Sequence, residues 1–87
     1  MNAFRLTVSS PDGDLFDGEA TFLALRGTEG ELAIMAGHVP FVTAVAPGAC
    51  TLELPDGSVR GAQMQDGLLT VAADRVTLLS GSFAWKK

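Results

Sequence analysis

The chain has 87 residues, 47% of them hydrophobic and 18% charged, which describes one globular domain with a single core and excludes a disordered or low-complexity chain. Ten carboxylates against six basic residues leave a net charge of −4, which excludes a nucleic-acid surface for want of clustered Lys and Arg. A single cysteine permits no internal disulfide, no secretory signal is recognisable and no apolar stretch is long enough for a bilayer, so a reducing cytoplasm is expected, with any membrane link made through another protein.

Phe4, Leu6 and Val8 alternate with Arg5, Thr7 and Ser9, the period of a half-buried strand, and Pro11-Asp12-Gly13 predicts a reversal after it. Leu15 and Phe16 predict a short second strand stopped at Asp17-Gly18, and Thr21 to Leu25 a third stopped by Gly27 and Gly30. Leu32 to Met35 and Phe41 to Val45 flank a Gly37-His38-Val39-Pro40 corner, and Pro47-Gly48 makes the next turn. Cys50, Leu52 and Leu54 alternate with Thr51 and Glu53. Pro55-Asp56-Gly57 predicts a hairpin onto Val59 to Met64, Asp66-Gly67 another onto Leu68 to Ala72, and Ala73-Asp74 leads into Val76 to Leu79. No window carries apolar residues at helical spacing over three turns, and ten glycines with four prolines break the candidates, so almost no helix is expected. Short strands with one apolar face each predict an all-β fold, a sandwich of two stacked sheets or a flattened barrel, over residues 1–87 as one domain.

The chemistry-bearing residues are few. Cys50 lies on the apolar face of its strand with no basic neighbour and reads as core. His38, at the Gly-Pro corner, serves either as a turn residue bonding to backbone or as a protein contact, and without a second His or Cys it makes no zinc or copper site. Asp12, Asp17, Asp56, Asp66 and Asp74 sit in or beside turn signals, and no stretch has calcium-loop spacing. Glu29 and Glu31 lack an evident turn duty. The Gly27-Thr28-Glu29-Gly30-Glu31 loop has no Lys-Ser/Thr pair to hold phosphate, and both lysines are terminal, which rules out a swinging-arm carrier. No catalytic, cofactor-binding or metal-binding residue is expected.

The run from Gly27-Thr28-Glu29-Gly30-Glu31 through Leu32-Ala33-Ile34-Met35-Ala36 to Gly37-His38-Val39-Pro40 resembles the Gly-Thr-Glu-Gly to Gly-His-x-Pro signature of one family with every spacing intact. That family is the N-terminal domain of the epsilon subunit of F-type ATP synthases, called delta in mitochondria. Val8 with Pro11 and Gly13, Phe16 with Gly18, Pro47-Gly48, and Gly67-Leu68-Leu69 with Val71 before Val76 to Leu79 match as well. Met35-Ala36 departs from the family's usual aromatic or Leu followed by Pro, and Asp66-Gly67 from its usual pair of glycines.

The resemblance implies a ten-stranded β-sandwich in the central stalk. Its implied partners are the gamma subunit and the c-ring, with the catalytic hexamer as a further neighbour, at the cytoplasmic face of a bacterial inner membrane. It implies torque transmission in ATP synthesis and proton transport, with no catalysis by the domain. Carried over by position, Glu31 and His38 face the ring and the foot of gamma, and Ser10 and Thr43 lie near gamma or neighbouring subunits. Glu29, beside Glu31 on an exposed acidic loop, suits the basic loops of a partner. The family's helical hairpin would follow Phe83-Ala84-Trp85-Lys86-Lys87, where this sequence ends, so coupling without the inhibitory helices is expected. The rival expectation is a free-standing β-sandwich that binds a small ligand or carbohydrate, against which stand the absence of Tyr and the presence of one Trp.

Overall fold

Two-residue alternation punctuated by glycine turns produces ten strands: β1 (Phe4–Ser10), β2 (Gly13–Ala20), β3 (Phe22–Gly27), β4 (Gly30–Ile34), β5 (Phe41–Val45), β6 (Gly48–Glu53), β7 (Val59–Met64), β8 (Gly67–Val71), β9 (Arg75–Ser80) and β10 (Phe83–Trp85). The structure, a computed structural model, describes residues 3–37 and 39–86, and no helix occurs among them.

Hydrogen-bonded neighbours run β10-β7-β6-β3-β5-β8-β9-β1-β2, with β4 added to β3. The turning point is β3. Its first half pairs Phe22, Leu23 and Ala24 with Glu53, Leu52 and Thr51 of β6, whereas Gly27 at its end pairs with Val45 of β5. The path curls there into two five-stranded layers, β4-β3-β6-β7-β10 and β5-β8-β9-β1-β2. Alternate side chains from both layers meet in one core, with Leu6, Leu23, Leu52, Met64, Leu69 and Leu78 fully buried. This is the ten-stranded sandwich that the family resemblance implied. Within the second layer β1 lies parallel to β9, from Arg5 opposite Arg75 to Ser9 opposite Leu79, and antiparallel to β2.

The structure differs from the sequence reading at three places. Asp17-Gly18 does not stop β2, which runs to Ala20. Asp17 rides the outer face, where its carboxylate accepts from Arg5 Nη2 at 2.7 Å and from Arg5 Nε at 3.2 Å, and Gly18 continues the strand opposite Leu6. Asp66-Gly67 does not close a hairpin, because β7 and β8 belong to different layers and the link between them is a crossover. The buried Ser80 hydroxyl fastens this crossover, 2.7 Å from the Asp66 carbonyl and accepting from the Ser82 N–H at 3.3 Å. The third difference is β10, a three-residue strand too short for alternation to mark, although Ser80-Gly81-Ser82 before it is a turn signal. It pairs with β7 and brings Phe83 and Trp85 edge to face, centroids 5.0 Å apart, beside Phe16, while the Arg60 guanidinium lies 4.0 Å over the indole.

The Pro55–Gly57 turn forms as read. The Asp56 carboxylate accepts from the Ser58 hydroxyl at 2.6 Å and the Ser58 N–H at 2.9 Å, which holds its carboxyl below the ordinary value, and Gly57 takes a φ of +90°.

Cys50 is core, as expected, and burial pushes its thiol from 9.0 up to about 11. Below pH 9 the folded and unfolded states both carry the neutral thiol. Above it the unfolded chain ionises first, so the folded state loses stability as pH rises from about 9 to about 11, by about 2–3 kcal/mol in all. Urea unfolding at both ends of this window should show that fall in the native protein. A Cys50→Ala variant should lack it, and an equal fall in both would place its origin elsewhere.

Candidate functional site

The β3–β4 hairpin sets the first part of the site. Gly27 pairs with Gly30 and Arg26 with Glu31, leaving Thr28-Glu29 as a two-residue turn, and Gly30 closes it at a φ of +138° that a side chain would resist. Glu29 therefore does have a turn position, at the exposed tip, which its sequence context did not reveal. Glu31 is exposed on the outer face opposite Arg26. A shallow groove between this hairpin and β5 is lined by Thr28, Glu29, Glu31, Phe41, Val42 and Thr43, so the fold brings Glu29, Glu31 and Thr43 together. Thr43 is half-buried, its hydroxyl donating to the Ala44 carbonyl at 3.3 Å. His38 lies outside the described residues.

Ser10 sits apart from that trio. It lines a second groove with Ser9, Pro11, Ala44, Leu68 and Leu79, and its hydroxyl turns inward, accepting from the Asp12 N–H and lying 3.2 Å from the Gly13 carbonyl. The two grooves share β5, which gives Phe41, Val42 and Thr43 to one and Ala44 and Val45 to the other.

Sequence reasoning missed the apolar part of this surface. Val42, Leu68 and Leu79 are 63%, 41% and 46% exposed, too much for residues that serve the core. The signal was present in the doublets Leu68-Leu69 and Leu78-Leu79, because a strand that buries one of two adjacent apolar residues must turn the other outward. Their register then gathers them: Ala44 opposes Leu68, and Leu68 opposes Leu79.

Among the described residues no three His, Cys, Asp or Glu side chains gather as metal ligands, and no helix is long and apolar enough to cross a membrane. Trp85, the aromatic a sugar would stack on, is covered by Phe16, Phe83 and Arg60.

One curled sheet around one core, with an outward apolar row of Ala44, Leu68 and Leu79 near an acidic hairpin, defines a small β-sandwich domain with surfaces suited to protein contact. The family model for the ATP synthase delta/epsilon chain β-sandwich domain matches residues 3–86, and the chain belongs to that family. Similar curated proteins include the ATP synthase epsilon chains of Delftia acidovorans (40% identical), Polaromonas naphthalenivorans (41%) and Verminephrobacter eiseniae (40%). Each alignment runs over 80 residues and covers 92% of this chain, which spans only 58% of the relative's length. A chain in a mitochondrial ATP synthase structure from Euglena gracilis, comprising OSCP, F1 and c-ring, superposes with a TM-score of 0.90 at 22% identity, over 95% of this chain and 53% of that one. One from the Tetrahymena thermophila mitochondrial central stalk and c-ring gives 0.79 at 12%, over 94% and 66%. At these identities the likeness is one of fold.

Proposed function

We propose that the chain acts in the rotor stalk of an F-type ATP synthase, binding gamma and the c-ring and coupling proton flow to ATP synthesis without catalysing a reaction itself. The complex would hold it at the cytoplasmic face of a bacterial inner membrane. The observation that carries this reading is the outward apolar strip of Val42, Ala44, Leu68 and Leu79, which lines two grooves that contain four of the five expected contact residues, Ser10 in one and Glu29, Glu31 and Thr43 in the other. Family membership supports the same reading. The strip would bear on gamma, and the acidic hairpin, with His38, would face the ring.

The test is replacement of the resident epsilon subunit by this chain in reconstituted ATP synthase vesicles. Exposed single charges contribute within about half a kcal/mol to stability, whereas a few residues dominate an interface. A Glu31→Lys, His38→Glu double variant should therefore melt within about 3 °C of the native domain yet lose most ATP-driven proton pumping. Undiminished pumping by the variant would remove both side chains from the contact set.

A further inference from the structure

The hydrogen-bonded path through the strands has two ends, β2 in one layer and β10 in the other, and among the described residues no strand pairing joins them. Side chains close that side of the sandwich. Trp85 of β10 and Phe16 of β2 meet edge to face across it, ring centroids 6.3 Å apart and planes at 64°. The two end strands are fastened very differently. β2 pairs with β1 from Ala20 opposite Phe4 to Gly13 opposite Ser10, and its Asp17 and Asp14 carboxylates are tied to Arg5 and Ser9. β10 has three residues, paired with Met64, Gln63 and Ala62 of β7, and the Lys86 N–H extends that ladder by donating to the Gly61 carbonyl at 2.8 Å.

So short a strand, hydrogen-bonded on one side only, gains little from its ladder against the conformational entropy of its ordered backbone. Its side chains have to supply the difference. Phe83 and Trp85 pack edge to face at 5.0 Å, and the Arg60 guanidinium, from β7, lies 4.0 Å over the indole. Both rings are only half-buried, whereas Met64 and Ala62 opposite them on β7 are fully buried, so β10 lies on the core rather than in it. Arg60 itself is exposed and has no part in the core. We infer that β10 is a strap over the open side of the sandwich, clasped by Arg60 and Phe16, which opens as a unit while the other strands stay folded. Opening frees the outer edge of β7 and the Phe16 ring, and a load or a ligand that favours the open form shifts the balance by its preference for that form alone. The inference does not depend on the rotor-stalk reading.

Amide hydrogen exchange of the full chain, followed by NMR without denaturant, tests it. The Lys86 N–H should be protected at least about 100-fold less than the slowest amides of β6 and β8. Arg60→Gln removes the cation from the indole and should lower Lys86 protection about threefold with the β6 and β8 amides unchanged. Phe16→Leu, in the opposite layer, should lower it about threefold more than it lowers theirs. Lys86 protection equal to that of β6 and β8 overturns the inference, because β10 then opens only with the whole domain. Low protection that ignores both substitutions overturns it as well, since a fraying chain end has no reason to respond to Arg60 or Phe16. Equal losses at every amide in both variants would make those side chains part of the core's stability and end the case for a clasp.

Discussion

Replacing Gly67 with alanine should cost the domain a large share of its stability. A Cβ at Gly67 would run into the Leu79 carbonyl oxygen and the backbone next to it in β9. These are backbone atoms in the middle of the second layer, held by the pairing of Gly67 with Ser80 and of Leu68 with Leu79, so no rotamer change can yield. Relief requires prising β8 from β9, and we expect a loss of at least about 3 kcal/mol. A chain of this length has roughly 5–10 kcal/mol in total. Gly61 provides the contrast, since there an added Cβ meets only the flexible Lys86 side chain, at 3.6 Å. Urea unfolding of Gly67→Ala and Gly61→Ala should give well-separated midpoints, with Gly61→Ala near native. Equal midpoints would mean that the β8–β9 contact relaxes freely.

The second large effect is on binding. Leu68→Thr with Leu79→Thr removes the apolar floor of the Ser10 groove while keeping residues that favour strands, beside Thr70 and Thr77 on the same face. Both leucines point outward and are more than two-fifths exposed, so the change in stability should be small. Truncating two central apolar contacts of an interface costs about 1–2 kcal/mol each, which weakens the complex about 30-fold or more. Calorimetric titration with gamma should show that loss at an unchanged melting temperature. An unaltered Kd would move the gamma contact to another face.

The strands were legible wherever a side chain's burial repeats every second residue. Phe4, Leu6 and Val8, or Cys50 and Leu52, announce an inner face by themselves, and the Asp56-Gly57 turn is written in its own residues. The errors have one physical origin, in that a local signal was allowed to decide a tertiary question. Asp17-Gly18 has turn composition, but Arg5 across the β1–β2 ladder gives the Asp17 carboxylate a reason to stay in a strand. Asp66-Gly67 has hairpin composition, but whether the chain returns to the same sheet depends on β5 and β9 already flanking β8. Of the site, the charged members were legible because charge on a glycine-bounded loop has few core uses. The apolar members hid, since Leu68 and Leu79 look like core until register shows that Leu69 and Leu78 already fill it.

The parallel pairing of β1 with β9 joins residues 70 positions apart, Arg5 with Arg75, and sets the timing of the domain's birth on the ribosome. Phe4, Leu6 and Val8 emerge first, yet until β9 follows they have only β2 beside them, and an isolated two-stranded hairpin is marginal in water. The nascent chain must carry that apolar edge without its second neighbour until β9 has been made, a period in which chaperones and proteases compete for it. Non-local closure of this kind also folds slowly compared with helical domains of the same size. Protease resistance should consequently arrive late and all at once, and any larger assembly has to recruit the domain after its synthesis is complete.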